Sequence, residues 1–394
     1  MMTNAKAKKE QGIAIVGAGP GGLTLARILQ QHGVKTVVYE RETSPDSRKQ
    51  GGSLDIHHDS GQKALREAGL IDQFETLARY EGQEFRLMDK TGKVYLDEGA
   101  ESSEGDRPEI DRGTLRELLL SSIDPAFIHW GHNLIKAIPL DNGQHELHFE
   151  NGHVDTVDLV VAADGAFSRI RPLLTDSVPA YSGLSMVEMY IENAAIAHPE
   201  IIALNSRGKM FALADHKGIL GQLNGDGRIC VYLSFEIEKE WLDTCGIPFD
   251  QTEAAKQQLL EHFADWDESL KNYIRYADGP LLPRRIYMLP VGLQWTHKPG
   301  VTLIGDAAHL MSPFAGEGVN LAMLDAAELA LSIIQHDDVN QAIEAYEKKM
   351  YVYSSQSAGE SEANLKLIFS DDAAAKLKDL MNQYQAHFNE TSNQ

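Results

Sequence analysis

Gly12-Ile13-Ala14-Ile15-Val16-Gly17-Ala18-Gly19-Pro20-Gly21-Gly22 is the stretch that decides the fold. A short apolar, partly β-branched run ends in a glycine turn, which suits a buried strand handing over to a helix. That helix takes its apolar positions from Leu23, Leu25, Ala26, Ile28 and Leu29, and Gly33 stands where a helix commonly stops. Thr36-Val37-Val38-Tyr39-Glu40 then reads as a second buried strand. Strand, helix and strand within about thirty residues form a βαβ unit with parallel strands. Here Gly17 permits the tight turn, Gly19 lets the backbone approach a pyrophosphate, and Gly22 allows the helix to pack on the strand. The helix N-terminus offers unpaired N–H groups and about half a positive charge to phosphates. Glu40, ending the second strand, is suitably placed to accept hydrogen bonds from a ribose diol. The segment predicts a dinucleotide site and by itself leaves FAD and NAD open.

Two later segments carry further turns of this kind. Val160-Val161-Ala162-Ala163-Asp164-Gly165-Ala166-Phe167-Ser168-Arg169-Ile170-Arg171 places an Asp-Gly pair at a strand end, with two arginines behind it. Leu303-Ile304-Gly305-Asp306-Ala307-Ala308-His309 places a Gly-Asp pair at another, and the chain continues through Pro313 to Gly318-Val319-Asn320. A helix should run from near Gly318 to Gln335. Glu146 to Phe149 and Val157 to Ala162 read as strands around an Asn151-Gly152 turn, and Leu115 to Ile123 as a helix. Between roughly 180 and 237, the runs Ser185 to Ile191, Lys209 to Leu213 and Ile229 to Phe235 alternate with glycine and polar turns, as an antiparallel sheet does. From about Val339 the chain is charged, helix-prone and free of proline.

The predicted fold class is therefore α/β: a Rossmann-like dinucleotide-binding domain (an FAD-binding domain by the resemblance given below), an antiparallel β substrate domain and a C-terminal helix. The expected boundaries are a flexible polar tail over 1–11, a discontinuous cofactor domain over 12–172 and 281–335, a substrate domain over 173–280, and a C-terminal helical segment over 336–394. The 394 residues are ample for a sizeable core. A net charge of −22 repels phosphate backbones and anionic lipid heads, so neither nucleic acid nor membrane is expected as a partner. No uninterrupted apolar run reaches the length of a bilayer, no secretory signal opens the chain, and the cytoplasm is the expected location. The two cysteines, Cys230 and Cys245, stand apart from any metal-type cluster. A monomer is expected.

Taken together, the three turn segments resemble the aromatic-hydroxylase class of FAD monooxygenases, whose familiar member is para-hydroxybenzoate hydroxylase, over roughly residues 12 to 335. Within that class the chain resembles the flavin-dependent tetracycline monooxygenases through Val38-Tyr39-Glu40-Arg41, Gly51-Gly52-Ser53-Leu54-Asp55-Ile56-His57, Ile110-Asp111-Arg112 and the Gly305 to Asn320 segment. The resemblance implies FAD as cofactor, with Asp306 on its ribityl chain and pyrophosphate, Asp55 and Arg112 in contact with it, and Arg41 near its adenosine end. It implies that the Asp164 segment supports both FAD and a nicotinamide nucleotide, and that Arg48 contacts NADPH. It further implies that NADPH or NADH reduces FAD, that molecular oxygen adds at flavin C4a, and that the hydroperoxide passes one oxygen atom to a small-molecule aromatic substrate. No side chain is assigned as a catalytic acid or base.

Physical chemistry agrees with part of this. Reduced flavin develops negative charge at its N1–C2 carbonyl edge, which backbone N–H groups at a helix start near Gly318, Val319 and Asn320 would stabilise. Glu188, Phe211 and Pro313 are the residues expected on the substrate side, with a solvated strand position the equal alternative for Glu188 and core burial the alternative for Phe211. The strands around Glu188, Lys209 to Leu213 and Cys230 do not show the Gln, Arg and His with which the tetracycline enzymes hold the drug, so tetracycline is one candidate among planar phenolic or polyoxygenated molecules. His309 reads as structural, His57-His58 as a loop pair rather than a metal site, and Trp241, Trp266, Phe249 and Phe263 as core.

Overall fold

The computed structural model describes residues 12–47, 51–99 and 107–392, the last turns of the final helix by backbone only. The expected tail over 1–11 and the candidate Arg48 lie outside the described residues.

The βαβ unit forms as strand Ile13–Val16, helix Pro20–Gln31 and strand Thr36–Tyr39. It sits in a five-stranded sheet whose order is Val301–Leu303, Leu159–Ala162, Ile13–Val16, Thr36–Tyr39 and Ile128–His129, every pairing parallel. Runs such as Ile13–Val16 and Leu159–Ala162 are apolar at every position and buried at every position, as a sheet covered on both faces requires. Helix Gly318–Gln335 packs against the fingerprint helix, and a Cβ on Gly21 would come within 2.8 Å of the Ala322 carbonyl oxygen. By length and composition Gly318–Gln335 is apolar enough to cross a membrane, which the sequence reading did not register. It is mostly buried and forms the spine of the cofactor body.

The second body is a seven-stranded sheet in the order Asp278–Met288, Ala180–Ile191, Ile229–Glu236, Lys217–Leu223, Lys209–Ala214, Phe85–Met88 and Val94–Glu98. All neighbours are antiparallel except Lys209–Ala214 with Phe85–Met88. Side chains alternate across it. Val187, Met189, Met210, Ala212, Ile219, Val231 and Leu233 pack on one face with residues of helices Thr252–His262 and Glu268–Arg275. Phe263 and Trp266 belong to that core, and Trp241 and Phe249 pack against it. The opposite face turns Met186, Leu213, Phe211 and Tyr232 toward Phe314 of the cofactor body.

Three details differ from the sequence reading. Phe85–Glu98 and the whole of Asp278–Met288 pair in the substrate sheet, although the expected boundaries put residues 85–98 and 281–288 in the cofactor domain. The parallel partner of Phe85–Met88 lies more than a hundred residues away, and no local pattern signals so distant a pairing. The stretch expected as one strand from Val157 to Ala162 divides: Val154–Val157 pairs back on His145–Phe149, and Leu159–Ala162 enters the parallel sheet.

The C-terminal chain forms helices Val339–Ile368 and Ala373–Ser392. The first packs on Gly318–Gln335 and on the turn Pro313–Ala315, and the second on the substrate-sheet strands Lys209–Ala214, Phe85–Met88 and Val94–Glu98. A short ribbon, Ser53–Asp55 against Glu109–Asp111, runs where the two bodies meet.

Candidate active site

The fingerprint glycines divide by what surrounds them. Gly17 has φ +112°, and a Cβ there would lie 2.2 Å from the Ala163 carbonyl oxygen. A Cβ on Gly22 would lie 2.1 Å from the Gly17 carbonyl oxygen. Both are required by the protein's own packing. Around Gly19 nothing stands within 4 Å of the Cβ position, so the protein's own packing places no demand for a glycine there. Gly19 also serves as N-cap of helix Pro20–Gln31 with no side-chain cap, leaving the first N–H groups available. Glu40 is buried, and its carboxylate accepts hydrogen bonds from the Ala18 N–H at 2.7 Å and the Glu42 N–H at 2.9 Å. That acid therefore shapes the phosphate loop as well as standing beside it.

The Asp-Gly and Gly-Asp turns are bound to each other by Arg171. Its guanidinium donates to the carbonyls of Ala166 at 2.7 Å, Ala307 at 2.7 Å and Asp306 at 3.1 Å. Asp164 accepts from the Arg169 N–H at 2.8 Å through Oδ2, while Oδ1 is buried without a hydrogen-bond partner. Burial accordingly raises the Asp164 pKa. An orphaned carboxylate oxygen is what a cofactor-contacting acid leaves when the protein is described alone.

Asp306 is exposed, yet burial raises its carboxyl pKa, against the pull of His309, Arg112 and Arg171. An accessible acid under desolvation faces a recess rather than open surface. Its turn is fixed from behind by Asp325, which is fully buried. Asp325 accepts from the Gly305 N–H at 2.7 Å and the Tyr353 hydroxyl at 2.6 Å, and pairs with His309 Nε2 at 2.7 Å. His309 thus supports the Asp306 turn. Asp325 was not singled out from the sequence, and Arg171 was noted there only as one of two arginines behind the Asp-Gly pair; an acid inside the apolar stripe of Gly318–Gln335 was the available signal for the first.

At the start of that helix the candidates separate. Gly318 has nothing within 4 Å of its Cβ position, like Gly19. Val319 packs on the cofactor-body core. Asn320 is fully buried, and its side chain donates to the carbonyls of Asp55 and Gly316 and accepts from the His57 N–H, each at 2.9 Å. The Asn320 side chain is thus bound to protein, and only its backbone N–H is left for a ligand. The helical ladder opens with the Leu321 N–H on the Glu317 carbonyl. The N–H groups of 318 to 320 precede it.

Asp55 is held in an ionic chain between the two bodies. His57 lies 2.8 Å from Glu317 Oε1 and 3.3 Å from Asp55 Oδ2, and Lys209 of the substrate sheet lies 3.4 Å from Asp55 and 2.8 Å from Glu109. Burial alone would raise the Asp55 pKa, but Lys209 and His57 bring it well below the ordinary carboxylate range. Burial would lower His57, and its bonds to Asp55 and Glu317 raise it instead. His58, by contrast, is an exposed neighbour of Asp59. Arg112 is exposed, with its N–H on the Gly52 carbonyl at 3.1 Å, and Arg41 is exposed. Arg116, four residues on, pairs with Glu42 at 2.8 Å and packs over Trp130.

In strand Ala180–Ile191 Glu188 is buried, accepting from the Tyr190 hydroxyl at 2.7 Å and from Arg284 Nε. It is not a solvated strand position. Phe211 meets Phe85 edge-on at 5.2 Å and shares a cluster with Phe314, which meets Phe369 edge-on at 5.4 Å. Pro313 opens that loop and is exposed. Ser312 with Ser361, and the Phe314 carbonyl with Asn364, tie the loop to helix Val339–Ile368. Gly51 and Gly52 pass over the Tyr190 and Tyr232 hydroxyls, with a Cβ on Gly51 coming within 2.0 Å of Tyr190. Among the described residues no group of side chains could hold a metal ion.

The model of the FAD binding domain matches residues 10–356. Monooxygenase asqM of Emericella nidulans is 32% identical across 92% of this chain and 96% of its own. Among solved structures, Klebsiella pneumoniae HpxO complexed with FAD and uric acid superposes with TM-score 0.77 at 20% identity, covering 98% of this chain and 94% of that one. Tetracycline destructase Tet(55) superposes with TM-score 0.71 at 22% identity, covering 93% and 90%. At these identities the structural likenesses speak for the fold.

Proposed function

We propose, from the premise that this chain belongs to the FAD binding domain family, that it hydroxylates a planar phenolic or polyketide-like small molecule at the expense of NADPH or NADH and molecular oxygen. The protein is an FAD-dependent monooxygenase of the aromatic-hydroxylase type. A tetracycline-type antibiotic is one candidate substrate, supported by the sequence resemblance around Asp55, Arg112 and Asp306.

One observation carries the reading of the site: chain-distant turns meet around glycines that nothing in the protein crowds. Gly19 and Gly318 have open Cβ positions, while Gly17 touches Ala163, Gly21 and Gly305 both touch Ala322, and Arg171 joins 166 to 306 and 307. These residues fit FAD. The turn at Gly19 and the N–H groups after it would hold the pyrophosphate, with Glu40 at the adenosine-side ribose and Arg41 beyond it. Asp306, Asp164 and Arg112 would hold the middle of the cofactor, and the N–H groups of 318 to 320 its negatively charged edge. When bound, FAD supplies the redox and oxygen-activating chemistry. The chain's share is to orient the ring between Gly318 and the substrate sheet, to present substrate from the Glu188, Phe211 and Pro313 side, and to exclude water.

The test is direct. Purified protein should carry FAD, NADPH or NADH should bleach it, and a turnover substrate should gain one atom from labelled dioxygen. Bleaching without label in the product would make the enzyme an oxidase or reductase. A failure to bleach with any candidate ligand present would leave a flavin-carrying binding protein.

A further inference from the structure

The cations of the substrate wall are already neutralised. On the face of the seven-stranded sheet that turns toward Asp55 and Phe314, where the proposed substrate cleft would lie, Lys209 alternates with Phe211 and Leu213, and Glu188 stands beside Tyr232 in register. Lys209 is 2.8 Å from Glu109 and 3.4 Å from Asp55. Arg284 is bound to Glu188. At the rim, Arg79 is 2.9 Å from Asp111, and Arg228 is 2.6 Å from Asp226 with Glu192 at 3.7 Å. Among the described residues, Arg112 stands at this cleft without a carboxylate in salt-bridge contact, and it lies on the cofactor side near Asp306.

We propose that the substrate is an uncharged, extended aromatic or polycyclic molecule, and that aromatic carboxylates are refused because Glu188, Asp55 and Glu109 occupy the cations that would bind them. This rests on the monooxygenase reading and narrows its substrate class. A carboxylate ligand needs a desolvated cation with a free donor edge. Entering at Lys209, it would meet an ammonium already held by two carboxylates and stand beside those like charges where water screens poorly; at Arg284, whose side chain is half exposed, it would stand beside the buried Glu188. Lys209, with two acids against one ammonium, makes its end of the wall net negative. The other end is apolar, formed by Met186, Phe211, Tyr232, Ile286 and Phe314, and rewards a flat hydrocarbon body.

Matched pairs test this on the FAD-loaded protein: salicylate against salicylamide, and 1-hydroxy-2-naphthoate against its carboxamide. Dissociation constants come from perturbation of the flavin absorbance, with stimulated NAD(P)H oxidation as a second readout. The carboxamides should bind about tenfold or more tightly than the acids, and the two-ring amide tighter than the one-ring amide. In Glu188→Gln, which frees Arg284, the acids should gain affinity and the ratio should fall several-fold. Acids that bind as well as amides, a two-ring amide no better than the one-ring amide, or silence from all four compounds, overturn the proposal. A ratio that stays fixed in folded Glu188→Gln overturns the role of Glu188. Should that variant lose its flavin, the wild-type ratio decides alone. Absence of FAD or of bleaching by NAD(P)H in the wild type would instead defeat the monooxygenase reading, so the two failures are separable.

Discussion

At the scale of single residues, two glycines three residues apart in one motif do opposite work. Gly22 is a packing glycine, since its Cβ position collides with the backbone oxygen of Gly17. Gly19 has an open Cβ position, and the proposed FAD pyrophosphate is what would fill the space beside it. Gly22→Ala should destabilise the apo-protein by about 1–3 kcal/mol through overpacking. Gly19→Ala should leave apo stability within about 1 kcal/mol, because φ −79° and ψ 175° suit alanine. It should nevertheless weaken FAD binding by about tenfold or more. Melting curves of stripped protein with FAD titrations check the pair; equal effects of both substitutions on melting would refute the division.

At the scale of elements, helix Gly318–Gln335 positions the site from its inside as well as from its end. Asp325 fixes the Gly305 turn through Gly305, His309 and Tyr353. Asp325→Ala removes one partner of a buried pair and should cost about 3–5 kcal/mol, seen in denaturant unfolding with FAD content falling in parallel. The His57 contacts carry a pH signature. The His57 pKa is raised by Asp55 and Glu317, so its contribution is full below an unfolded value of about 6.5 and fades as pH rises through the folded one. The Asp55 pKa is lowered, so its contribution is full above about 3.9 and fades as pH falls. The melting temperature lost in His57→Gln should therefore be greatest between about pH 4 and 6.5 and shrink toward alkaline pH. A difference that grows above neutrality would contradict the bridging role.

At the scale of the whole molecule, the C-terminal helices join the bodies that the cleft separates. Helix Ala373–Ser392 lies on strands Lys209–Ala214, Phe85–Met88 and Val94–Glu98, and Ala373, Ala374 and Leu377 bury against the cluster that holds Phe211 and Phe314. Ending the chain after residue 370 should leave FAD bound through the cofactor body and open the apolar end of the cleft to water. The expected outcome is uncoupling: more hydrogen peroxide released per NAD(P)H consumed, with less product. Unchanged coupling in the truncated protein would show that the final helix has no part in closing the site.

Much of the cofactor side was legible in the residues themselves. Glycines with a fixed turn geometry, an all-apolar strand and an acid at a strand end are local signatures, because backbone conformation and phosphate approach are decided within a few residues. The α/β class, the helix from Gly318 to Gln335 and the structural character of His309 followed from that local logic. The substrate wall did not. Whether Glu188 is solvated or buried depends on Arg284 and Tyr190, and whether Asp55 is free depends on Lys209 and His57, partners up to more than a hundred and fifty residues distant. Nor could local pattern bring Phe85–Met88 beside Lys209–Ala214. A turn is fixed by the chain's own covalent geometry, whereas charge pairing across a cleft exists only once tertiary packing has chosen which faces meet.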